Sequence, residues 1–102
     1  MTLPTPIRVD RSFRVLGTHI SVARKLQGTT AAQLAERAGI TPLTLRKLER
    51  GEGTASLETF LRVARSLGML ELLETAVDPY NTDVGRLRAD EQLPLRVRHR
   101  KA

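Results

Sequence analysis

Between Thr41 and Arg50 stand two hydroxyls, Thr41 and Thr44, and three cations, Arg46, Lys47 and Arg50. Guanidinium and ammonium groups donate hydrogen bonds and accept none, whereas hydroxyls do both. Such a set grips anions and acceptor-rich edges. Leu43, in the same stretch, adds one apolar contact. Proton-transfer chemistry has little to work with. His19 has no second His, Cys or acid at ligand spacing, so it reads as a surface residue rather than a metal ligand or base. There is no cysteine, no Gly-rich phosphate loop and no paired acid beside a nucleophile. Enzymatic activity, a metal and a cofactor are therefore not expected.

These side chains need two short helices to position them. Thr30 followed three residues later by Gln33 predicts a capping box, each side chain satisfying an orphan backbone donor of the other. Leu34, Ala35 and Ala38 give that helix an apolar, mostly small stripe. Gly39 falls where it must stop, since glycine takes the left-handed conformation at little cost. Thr41 is then an N-cap and Pro42 fits the first helical position, where its missing N–H costs nothing. Leu45 and Leu48 point inward, Leu43, Thr44, Arg46, Lys47 and Arg50 face outward or flank, and Gly51 closes the unit. The small Ala35 lets the two helices approach. Two helices crossing at a Gly turn, the second with a basic outer face, describe a helix-turn-helix that offers its second helix to the DNA major groove.

The pattern LAERAGI, four residues, Leu45, two residues, LERG resembles the lambda-repressor-like (Cro/C1, XRE) helix-turn-helix family, and the wider match covers about residues 14–76. The resemblance implies an all-α, compact five-helix bundle binding an inverted-repeat operator as a homodimer. It implies that Arg24 pairs with Glu49, locking the first helix to the recognition helix. It also places Arg24, Thr30, Ala31 and Arg50 on the DNA backbone. Many members begin both helices of the motif with Gln; Ala31 and Pro42 stand there in this chain. A bidentate Gln contact to adenine is therefore unavailable. Base reading falls to Thr41, Leu43 against a thymine methyl, Thr44, Arg46 and Lys47, with Arg46 the candidate for guanine. The short architecture and its C-terminal extension are also similar to HipB-type antitoxins, which implies a HipA-like kinase toxin as partner. A stand-alone or phage-type repressor shares the same core.

A chain of 102 residues allows one small domain, and three aromatics with no tryptophan leave packing to Leu, Val, Ile and Ala. No signal-type segment or apolar run near membrane length is present, so a cytoplasmic protein is expected. The net charge of +6 is uneven. Residues 1–51 hold nine Lys/Arg against three acids, 52–80 two against five, and 81–102 six against three. The basic surface thus lies with the helix-turn-helix and the tail, as phosphate attraction would require.

Taken in order, residues 1–11 carry Pro4 and Pro6 and then alternate Ile7, Arg8, Val9; a flexible arm is expected rather than an edge strand. The DNA-binding domain is expected over 12–78. Its first helix spans about 12–27, with Phe13, Leu16, Ile20 and Ala23 inward and Gly28 as its stop. After the loop EGTA, Ser56 caps a helix whose core stripe reads Leu57, Phe60, Leu61, Ala64, Leu67, ended by Gly68. A fifth helix begins near Met69 and stops at Asp78-Pro79. Met69, Leu70, Leu72, Leu73 and Val77 exceed what one buried face needs and form the candidate dimer surface. The extension over 79–102 is expected to hold a short helix from Thr82 to Gln92, with Val84, Leu87 and Leu93 inward. Beyond Pro94 follows a basic end carrying Arg96, Arg98, Arg100 and Lys101.

Overall fold

Three hydroxyls start the helices that matter most. Thr30 Oγ1 accepts from the Gln33 N–H at 3.1 Å while Gln33 Oε1 accepts from the Thr30 N–H at 2.9 Å. Thr41 Oγ1 accepts from the Thr44 N–H at 3.1 Å, and Ser56 Oγ from the Thr59 N–H at 3.0 Å. Each takes up a donor that the first turn leaves without a partner. The computed structural model describes residues 3–52 and 55–93. The chain is all-helical, with no strand among the described residues: α1 (Ile7–Leu26), α2 (Ala31–Ala38), α3 (Pro42–Arg50), α4 (Leu57–Ser66), α5 (Leu70–Ala76), a 3-10 turn at Pro79–Asn81, and α6 (Asp83–Gln92). It forms two compact units, the first ending at Leu70 and the second beginning at Glu71.

In the first unit α1 packs chiefly on α3, and α2 on both α3 and α4. Ile20, Leu34, Ala35, Ala38, Leu45, Leu48, Val63 and Leu67 make the buried core, with Ala23, Ile40, Ala55, Phe60 and Met69 packed against it. The α2–α3 turn is closed by Gly39 at φ 73° and the end of α3 by Gly51 at φ 69°. Arg62 of α4 reaches back to the Ala38 carbonyl at 3.4 Å, supplying a donor to the end of α2.

Three expectations need correction. Helix α1 begins at Ile7, not at Ser12, so residues 7–11 are helical. Pro6 stands at its N-cap with φ −59°, and Asp10 in the first turn suits the positive end of the helix. The Ile7-Arg8-Val9 alternation was too short to carry a strand. On α4 the buried stripe is Val63, Ala64 and Leu67 with Phe60 half-buried, whereas Leu57 is 71% exposed. The helix is rotated toward the Val63 flank, because that flank meets α2. On α1, Leu16 of the expected inward face is largely open and Phe13 only half-buried.

The closest approach in the unit was not foreseen. Gly17, buried in the middle of α1, lies so near the end of α3 that a Cβ there would fall 2.4 Å from the Leu48 carbonyl oxygen and 2.7 Å from that of Glu49. A Cβ on Gly51 would likewise lie 2.6 Å from the Arg14 Cα. Glycine at both places lets α1 cross α3 backbone to backbone.

The second unit is tied by local bonds. Asp78 Oδ1 accepts from the Tyr80 N–H at 2.9 Å, Thr82 caps α6 through the Gly85 N–H at 2.9 Å, and Arg86 donates to the Tyr80 carbonyl at 2.6 Å. A Cβ on Gly85 would collide with the Pro79 carbonyl, so the 3-10 turn sits directly on the first turn of α6. Here too the expected inward face is corrected: Val84, Leu87 and Leu93 are exposed and Ala89 is the buried residue. A helix this short buries only what its neighbour covers. The basic end over 94–102 lies outside the described residues.

Replacing Gly17 by Ala should test the crossing. Alanine raises intrinsic helix stability by about 1 kcal/mol, but overpacking costs about 1–3 kcal/mol, and a rigid carbonyl cannot yield as a side chain does. Thermal unfolding of Gly17→Ala should show a midpoint several degrees lower. A midpoint unchanged or raised would mean that the helices do not meet there.

Candidate nucleic-acid interface

Helix α3 presents one face to the core and the other to solvent, and its sequence sorts the two. Leu45 and Leu48 are buried, while Leu43, Arg46, Lys47 and Arg50 are exposed. The two threonines at its head are turned toward each other. Thr41 donates its hydroxyl hydrogen to Thr44 Oγ1 at 2.8 Å while accepting from the Thr44 N–H. Among the described residues, Leu43, Arg46 and Lys47 are therefore the α3 side chains left uncommitted on the outward face.

Arg24 and Glu49 meet across the α1–α3 crossing. Arg24 Nε donates to Glu49 Oε2 at 2.7 Å and Nη2 to Oε1 at 3.1 Å, a forked pair, and Nη1 donates to the Thr29 carbonyl at 3.1 Å. Only 13% and 12% of the two side chains is exposed, so water competes weakly for these bonds. The hydrogen bond to Glu49 raises the Arg24 pKa above its ordinary value; burial opposes the shift and attraction to the carboxylate adds to it. The guanidinium is thus charged at every pH at which the chain could be folded.

A cleft gathers the cations. Ser21, Arg24, Lys25, Ala31, Pro42, Arg46, Glu49 and Arg50 line it together. Four bases against one acid leave it at +3, and that acid is already paired with Arg24. Arg50 is 3.9 Å from Glu52, with both side chains more than half exposed; a pair of that kind is worth about 0–1 kcal/mol and gives way to a better acceptor. At the head of α2 the capping box uses the N–H groups of Thr30 and Gln33. Those of Ala31 and Ala32 remain at the positive end of the helix, where a phosphate oxygen or water can accept them.

The structure thus brings Arg24, Ala31, Arg46 and Arg50 to one cleft and leaves Leu43 and Lys47 on the exposed face of the same helix. Thr30 and Thr41 serve as caps. Sequence reasoning missed Ser21 and Lys25. Their spacing of four on α1, with Lys25 next to Arg24, was the available signal, but only the crossing angle turns them to the cleft. Of the residues considered for self-association, Met69 packs on the core of the first unit, Leu70 and Leu73 are half-buried, and Leu72 and Val77 are 66% and 81% exposed.

A helix-turn-helix family model matches residues 20–74. An uncharacterized HTH-type transcriptional regulator of Methanothermobacter thermautotrophicus is 45% identical over 51 residues, which span 50% of this chain and 74% of that protein. No solved structure matches significantly.

The forked pair should be measurable by a double-mutant cycle on Arg24→Ala and Glu49→Ala. A coupling above about 1 kcal/mol in urea unfolding is expected, beyond the ~0.2–1 kcal/mol of exposed pairs. Coupling near zero would reduce the pair to surface charge.

Proposed function

The chain belongs to the lambda-repressor-like (Cro/C1, XRE) helix-turn-helix family, and from that premise we propose that it is a DNA-binding transcription regulator acting as a sequence-specific repressor in the cytoplasm. The observation that carries this reading is the exposed face of α3 beside the +3 cleft, with Leu43, Arg46 and Lys47 uncommitted. Seated in the major groove, Arg46 donates both arms to a guanine and Leu43 packs on a thymine methyl. Lys25, Arg50 and the N–H groups heading α2 hold phosphates, and Arg24 adds its open side while anchored by Glu49. The regulator binds as a homodimer on an inverted repeat. Support for that part comes from Leu72 and Val77, apolar and exposed in the second unit.

A second reading adds a protein partner: the chain is a HipB-type antitoxin that neutralises a HipA-like kinase toxin and represses its own operon. It is favoured by the second unit, which is built from its own caps and yet leaves Leu72, Val77, Val84 and Leu87 exposed. Exposed apolar side chains on one short unit are what a partner protein would cover.

Selection from random duplexes should enrich an inverted repeat, with a dimer seen by light scattering. Arg46→Ala should then cost about 1–3 kcal/mol at one base position, while Arg50→Ala weakens all sequences alike and flattens the salt dependence. Enrichment of nothing would remove the sequence-specific reading. For the antitoxin reading, co-expression with the product of the adjacent gene should give co-purification and relief of toxicity. Failure of both would leave a stand-alone repressor.

A further inference from the structure

We propose that α1 extends the DNA footprint beyond the recognition helix, with Arg8, Arg11 and Arg14 forming a track for phosphates that flank the recognised site. The inference rests on the DNA-binding reading above and adds a second stretch of interface to it.

Helix α1 is 20 residues long and α3 nine, so at 1.5 Å per residue they span about 30 Å and about 13 Å. The excess lies at the N-terminal end of α1. Every residue from Ile7 to Ser12 is exposed, and burial sets in fully only at Gly17, where α1 crosses α3. Lys25, Ser21, Thr18, Arg14 and Arg11 follow one another at intervals of four and three, which places them on one face of the helix. Ser21 and Lys25, with Arg24 beside them on α1, line the cleft together with Arg46 and Arg50. At its other end the same face passes the end of α3, because Gly51, next to Arg50, lies against Arg14. The face then continues through Arg11, with Arg8 one turn further on. The cleft and the track are therefore one continuous basic surface.

Its charge is uncommitted. Among the described residues none of Arg8, Arg11 and Arg14 forms an ion pair, and Asp10 is the one acid on the helix. From Lys25 to Arg8 is about 25 Å along the axis, about seven base-pair steps at 3.4 Å. Cations serving solubility alone have no reason to line up with the cleft. The family model's match begins at Ile20, so the three arginines lie outside the residues it covers.

The test uses the full chain and the variant R8Q/R11Q/R14Q. Glutamine keeps the Arg14 Cγ that lies against Gly51, and melting curves should coincide; if they do not, R8Q/R11Q, remote from the crossing, takes the variant's place. Anisotropy titrations over a range of salt use a random duplex of about 40 base pairs. They also use the enriched site, either trimmed to the repeat or flanked by about ten base pairs on each side. The variant's salt slope should fall by about 0.9 for each arginine contact removed, equally on the enriched and random long duplexes. Wild type should gain affinity from the flanks and the variant should not. A variant with the wild-type slope and the wild-type gain from flanks overturns the track and leaves the DNA-binding reading standing. Wild type that binds neither duplex overturns both.

Discussion

The crossing of α1 over the end of α3 is the constraint on which the rest depends. A nine-residue helix is too short to persist in water by its own propensity, so α3 exists because its neighbours hold it. Leu45 and Leu48 seat its inner face, and Gly17 and Gly51 bring α1 to within backbone contact of its last turn. Magnitudes divide the labour. Truncating a fully buried leucine such as Leu45 costs about 2–5 kcal/mol, so the core supplies most of the stability. The net worth of the Arg24–Glu49 pair is smaller, because both charges lose water when they pair. Its contribution is to register: a forked pair has one geometry, and it fixes which face of α3 looks outward.

That arrangement also decides the sign of the cleft. Glu49 would otherwise set a negative charge among the cations of the cleft, but Arg24 pairs with it at 2.7 Å. What remains is a positive surface built by Lys25, Arg46 and Arg50. At about 0.1 M salt, charges reach only about 10 Å through solvent. Cations at the far end of α1 therefore add little to the field at the cleft and act through whatever they touch.

The second unit uses different means. Among its described residues Ala89 is the buried apolar one, and the backbone is held by capping bonds and the seat of Pro79 on Gly85. Short-range bonds of this kind fix a backbone without covering apolar surface, which is why Leu72, Val77, Val84 and Leu87 stay exposed.

The sequence by itself determined the helix-turn-helix. The caps at Thr30, Thr41 and Ser56, the stops at Gly39 and Gly51, and the inward pair Leu45 and Leu48 each involve residues within four positions of one another. Local chemistry is sufficient for such features. Only the tertiary structure decided that Val63 rather than Leu57 enters the core, since both flank the same stripe and the choice belongs to α2. It alone assigned Gly17 its role, because a close approach joins segments some thirty residues apart and leaves no periodic trace. For the same reason Ser21 and Lys25 looked like ordinary surface residues until the crossing turned them toward Arg46 and Arg50. Which helix faces meet is a property of two surfaces at once, and a pattern read along one chain segment specifies only one of them.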